Sequence, residues 1–162
     1  MPTEGRLRQF ILLLLSFGLL AVGAELLVLG HYEDPWQLVP FGLITLSLLT
    51  IVWHRVAGGA GSVRALQMIM ILLILAGGLG IALHYRGNVE FQLETNPNLA
   101  GWQLFAKAVH AKVPPAMAPG VMAQLGLLGL IYAFRHPLLR GALAEVVDKR
   151  PHDETAAAAT TT

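Results

Sequence analysis

The chain has 162 residues, 55% of them hydrophobic and only 13% charged, and its mean hydropathy is +0.61. A soluble domain carries about 25% charged residues, so this chain has too little polar surface to cover a globule in water, and lipid is the solvent its apolar excess fits. A net charge of +1 supplies no basic stripe for nucleic acid, and the absence of cysteine excludes disulfides, thiolate metal sites and thiol redox chemistry, quinone-linked disulfide oxidoreductases included.

Four apolar stretches follow one another along the chain. The first, Phe10 to Gly30, contains a single charge, Glu25. The second runs from about Leu38 to Trp53, the third from Ala65 to Tyr85, and the fourth from about Met117 to Phe134. A membrane-spanning helix needs roughly 17–25 predominantly apolar residues; the first and third meet this comfortably and the other two are short. Pro40 and Pro119 fall in opening turns, where a missing N–H is tolerated. No stretch alternates apolar and polar residues as a barrel strand does. The pattern predicts an all-α integral membrane protein, a four-transmembrane-helix bundle forming one domain over residues 1–150.

Lys and Arg set the threading. With the N-terminus inside, the inner segments hold Arg6, Arg8, Arg55, Arg64, Arg135, Arg140, Lys149 and Arg150, eight in all, and the outer ones hold three, Arg86, Lys107 and Lys112. That bias predicts both termini in the cytoplasm and a multi-pass protein of the cell membrane. An alternative for the first stretch is a cleavable signal peptide, with Val22-Gly23-Ala24 before Glu25 as the cleavage region; the apolar run through Leu29 is long for one.

The connections differ in kind. Gly58, Gly59 and Gly61 make the inner segment between Arg55 and Arg64 a short flexible turn. Residues 86–116 form one larger outer loop. Within it, Val89 to Glu94 alternates apolar and acidic residues and predicts an extended segment. Asn98 is a candidate cap for a helix to about Lys112, with Leu99, Trp102, Ala106 and Val109 on one face and Gln103, Lys107 and His110 on another, which suits a short interfacial helix. Leu138 to Val147 reads as a second surface helix, and residues 151–162 as a disordered cytoplasmic tail.

Glu25 is the most informative single residue, because a carboxylate within a span costs roughly 2.5–3.5 kcal/mol and normally seeks a partner. Gly18 and Ala21 precede it on its face, and Gly77 and Gly80 precede His84 in the third stretch. Small residues permit close helix approach, so these two faces are expected to pack together and Glu25 to pair with His84 or Arg86. His31, Glu33, Asp34, Glu90 and Glu94 complete a candidate polar cluster at the outer membrane face. Such a set fits a structural network, a proton- or ligand-handling site, or a site for a borderline-hard metal. No HExxH spacing singles out the metal, and no cofactor is specified. Gln124 is expected to cross-link helices. Trp53, His54-Arg55 and Arg135-His136-Pro137 read as boundary anchors. No phosphate loop, nucleophile elbow or kinase signature occurs.

The function expected is that of an accessory or structural membrane component acting through helix packing. Its partners would be the bilayer and either a second copy or a larger membrane complex. The alternatives are a transport-related protein using Glu25, and a metal site or enzyme at the outer surface. A catalytic role is the less favoured.

Overall fold

A computed structural model describes residues 2–112 and 115–141. Among them the regular structure is helical, apart from a lone bridge between Lys112 and Pro115. Three helices are long and apolar enough to cross a membrane. The first is α1 (Pro2–Val28), the second α2 (Leu38–Ala57) and the third α3 (Ala60–Thr95). A short α4 (Gly101–Val109) follows, then an apolar α5 (Gly120–Ala133) of 14 residues.

Each long helix buries a narrow stripe and leaves the rest of its apolar surface outward. On α1 the buried stripe is Leu12, Leu15, Leu19 and Val22, at the three-and-four spacing of one helix face. Phe10 and Phe17 point away from it and are 68% and 70% exposed. On α2 the stripe is Ile44, Ser47, Ile51 and His54, with Thr50 beside it. Ser47 and Thr50 turn their hydroxyls back onto the carbonyls of Leu43 and Leu46, so neither leaves an unpaired donor in the interior. Polar groups inside and large aliphatic groups outside are the distribution expected when the surrounding medium is hydrocarbon.

Gly30 ends α1. It sits at φ +66°, where only glycine is unstrained, and lets the His31 N–H reach back to the Leu26 carbonyl at 2.9 Å. Asp34 then caps a 3₁₀ turn over Pro35–Gln37 that leads into α2.

The packing partners differ from those expected. α1 lies against α2 and α5, and α3 against α2 and α5, while α1 and α3 make no close backbone approach. The glycine faces explain this. A Cβ on Gly77 would meet the backbone N of Ala123 at 2.7 Å, and one on Gly126 would meet the Met70 carbonyl oxygen at 2.5 Å. Gly80 lies on Pro119 and Gly18 on Leu125. The small-residue faces of α1 and α3 are thus both filled by α5. Ala21 and Gln124, expected at helix contacts, are exposed, and among the described residues no hydrogen bond from Gln124 crosses to another helix.

Three further corrections concern the segment after residue 85. Val89 to Glu94 is not extended: α3 continues through it to Thr95. Arg86 and Glu90 form an i,i+4 ion pair at 2.9 Å, and no neighbouring strand exists among the described residues to compete with the helical hydrogen bonds. At 36 residues α3 is about 54 Å long, well beyond the roughly 30 Å of a bilayer core. Asn98 caps nothing; α4 begins at Gly101 after Ala100. The α4 face that packs on α3 centres on Ala108, whose carbonyl accepts from the buried Asn88 amide at 3.1 Å, and Trp102 instead points outward, 76% exposed. Residues 137–141 are helical. The rest of the expected surface helix, and the tail, lie outside the described residues.

Candidate functional site: a hydrogen-bonded pocket at one end of the helices

The side chains expected to cluster near His84 are only partly brought together. His31 and His84 lie with ring centroids 6.3 Å apart, and His84 Nδ1 donates to the Pro115 carbonyl at 3.0 Å. Burial and the neighbouring His84 lower the pKa of His31. Asp34 is occupied with its turn, accepting from the Trp36 N–H at 2.9 Å; the Glu33 N–H donates to Gln37 Oε1. Arg86 is taken by Glu90. Glu25 and Glu94 are exposed; the described residues show no ion pair to Glu25, and Arg86–Glu90 takes the place of the pairing expected for it. No three His, Asp or Glu side chains converge as metal ligands among the described residues.

A tighter arrangement occurs at the opposite end, where His54 and His136, from the two segments read as boundary anchors, meet Tyr132, Ser62 and Arg8. His54 completes the buried stripe of α2. Tyr132 completes the stripe of α5 that contains Met122, Leu125 and Gly129. Their meeting places the Tyr132 hydroxyl 2.6 Å from His54 Nε2, while His54 Nδ1 lies 2.8 Å from Ser62 Oγ in the first turn of α3. The Ser62 hydroxyl donates to the Gly59 carbonyl at 2.8 Å and accepts from the Gly59 N–H. Its proton being spent there, Ser62 can only accept from His54. The network therefore assigns neutral His54 a proton on Nδ1 and leaves Nε2 to accept from the Tyr132 phenol. A directed chain runs from Tyr132 through His54 and Ser62 to the α2–α3 turn.

His136 stacks beneath this chain, its ring 5.4 Å from those of both His54 and Tyr132. Arg135 adopts a left-handed conformation, φ 49°, which turns the chain after α5 so that His136 comes back under Tyr132. A left-handed conformation costs a non-glycine residue of order 1–3 kcal/mol. The Leu138 N–H donates to His136 Nδ1 at 3.4 Å, which places the proton of neutral His136 on Nε2. Burial first, then the neighbouring His54 ring and the Arg8 guanidinium, lower the His136 pKa. Arg8 of α1 locks the arrangement by donating to the carbonyls of Tyr132 and Phe134, the latter at 3.1 Å, groups that the end of α5 leaves without helical partners.

Arg8, His54, Tyr132 and His136 line an open cavity of about 420 Å³, together with Gly5, Gln9, Leu12 and Arg55. Its chemistry is one-sided. Arg8 and Arg55 present guanidinium donors, Gln9 an amide and His136 an Nε2–H, and no carboxylate among the described residues lines it. Ser62 is buried and committed to Gly59, so it offers no nucleophile. The arrangement can hold an anionic group.

The sequence carried a signal for this site. His54 falls on the three-and-four spacing of Ile44, Ser47 and Ile51, and Tyr132 on that of Leu125 and Gly129. A polar residue in phase with a buried stripe faces inward. No family model, curated protein or solved structure matches this chain.

Proposed function

We propose that the chain is a cell-membrane protein that crosses the bilayer four times with both termini cytoplasmic, and that it binds an anionic ligand in the pocket at its cytoplasmic boundary. α5 supplies the fourth crossing. Pro119 lies beside Gly80 and Gly126 beside Met70, so α5 runs antiparallel to the apolar part of α3 over much of its height. Arg6, Arg8, Arg55, Arg64, Arg135 and Arg140 belong to segments at the pocket end; Arg86, Lys107 and Lys112 belong to the other, together with Glu25, Glu33, Asp34, Glu90 and Glu94. That asymmetry supports a cytoplasmic pocket. On this threading α4, with the exposed Trp102 and Phe105 rings 5.1 Å apart, rests at the outer interface.

The observation that carries the ligand reading is a cavity lined by two guanidiniums and, among the described residues, by no carboxylate. Two guanidiniums facing no acid among the described residues favour a negative group between them. The ligand-handling role moves from Glu25 to this pocket. Titration calorimetry of the detergent-purified protein with inorganic phosphate tests it: saturable binding is expected, weakened by Arg55→Gln. Absence of heat for the wild type contradicts the proposal.

A second reading rests on a separate observation. Glu25 is exposed on an otherwise apolar outer surface of α1, a place where a carboxylate is stabilised by a neighbouring helix from a second copy or another membrane protein. This supports an accessory role through helix packing. Native co-purification from membranes tests it, and a protein found always alone and monomeric contradicts it.

A further inference from the structure

The anion pocket does not end at the polar boundary. A second cavity of about 120 Å³ adjoins it, sharing Gln9, Leu12 and Arg55 and extending along the α1–α2 seam to Leu13, Ser16 and Ile51. Relative to Arg8, Ser16 lies two turns further along α1, a depth of about 12 Å. The guanidiniums therefore sit at one end of a continuous groove, and its deep end is walled by aliphatic side chains. Ser16 adds no free donor there, since its hydroxyl is bonded to the Leu12 carbonyl at 2.8 Å. Leu13 on the rim is 64% exposed, so the groove opens sideways to the medium around the helices.

We infer that the ligand is an anionic amphiphile, a lipid whose phosphate lies between Arg55, Arg8 and His136 and whose acyl chain enters the α1–α2 seam with its first methylenes and leaves past Leu13 into the medium around the helices. This rests on the anion reading above and adds the tail to it. The charge complementarity is that of a phosphate diester: one negative group, satisfied by guanidinium and imidazole N–H donors with no carboxylate among the described residues to repel it. The geometry matches a bilayer lipid, whose head group lies at the boundary level and whose chain runs inward from it. A soluble phosphate ester would leave the apolar half of the groove unfilled.

The test is native mass spectrometry of the protein released from detergent with added phosphatidylglycerol, phosphatidylcholine or soluble glycerol 3-phosphate, repeated on two variants. Arg55→Gln removes a donor from the head-group end, and Ser16→Phe fills the tail end at a half-exposed position outside the core. Phosphatidylglycerol is expected to bind the wild type at least about tenfold more tightly than phosphatidylcholine, which carries the same phosphate diester but would set a choline cation beside the Arg8 and Arg55 guanidiniums. Arg55→Gln should abolish that preference. Ser16→Phe should release the lipid while glycerol 3-phosphate still binds. If glycerol 3-phosphate binds as tightly as the lipid and Ser16→Phe changes neither, the tail assignment fails and the anion pocket stands. If neither anion binds, both fail. Equal retention of phosphatidylcholine overturns the inference in favour of unspecific lipid adhesion.

Discussion

Removing one oxygen tests the hydrogen-bond chain at the pocket. In Tyr132→Phe the ring keeps its place in the α5 stripe, but His54 Nε2 loses the only donor within reach among the described residues, now 2.6 Å away. His54 is 8% exposed. Moving the ring's proton to Nε2 gives no free escape, because Ser62 would have to turn its hydroxyl from the Gly59 carbonyl to Nδ1 and give up that 2.8 Å bond. An orphaned buried acceptor costs about 1–3 kcal/mol; the adjoining cavity admits water and moves the expectation to the lower half, about 1–2 kcal/mol. Unfolding in mixed micelles, followed by tryptophan fluorescence, reads this directly. A double-mutant cycle with His54→Leu should return a coupling of about 1 kcal/mol between the two sites, and Tyr32→Phe, at an exposed position, should change nothing. A Tyr132→Phe protein as stable as the wild type, or strict additivity in the cycle, would refute the chain as drawn.

Gly126→Ala drives a methyl into the Met70 carbonyl, and backbone cannot step aside, so overpacking should cost about 1–3 kcal/mol. Gly18→Ala meets only the tip of Leu125 and should cost less; the same unfolding assay ranks them. Burial together with His54 and Arg8 lowers the His136 pKa in the folded state, so the unfolded chain binds that proton more tightly. His136 therefore contributes stability that is complete above its unfolded value of about 6.5 and is lost as pH falls from there through the folded value. Ligand-free protein should unfold more readily at pH 5.5 than at 7.5, while affinity for sulfate, whose charge is constant over that range, should rise over the same fall, because a bound anion favours imidazolium. Constant affinity across that range would remove His136 from the site. Asn88→Ala deletes the buried amide bonded to the Ala108 carbonyl, and hydrogen exchange should show α4 loosened while α1, α2 and α5 stay protected.

The helical class was legible because apolar runs such as Phe10 to Gly30 admit one folding solution in hydrocarbon. Helix partners were not. Gly18, Gly77 and Gly80 do mark close approach, but a glycine face records that something comes near, and α5 satisfies both sets. The continuation of α3 through Val89–Glu94 was hidden for a local reason: the apolar–acidic alternation resembles a strand, whereas the i,i+4 pair Arg86–Glu90 decides for helix. His54 and Tyr132 were legible in phase with their buried stripes. Their meeting was not, since it depends on α5 lying next to α3, and Arg8 joins them from across more than 120 residues of chain.

Threading decides whether the pocket faces the cytoplasm, and a chain without cysteine lets single introduced thiols report it without background. Gly58→Cys lies in the turn beside the pocket, and Asn98→Cys lies at an exposed position between α3 and α4 at the other end. In intact cells a membrane-impermeant maleimide should label Asn98→Cys and reach Gly58→Cys only after permeabilisation. Labelling of both from outside, or of Gly58→Cys alone, would contradict the account.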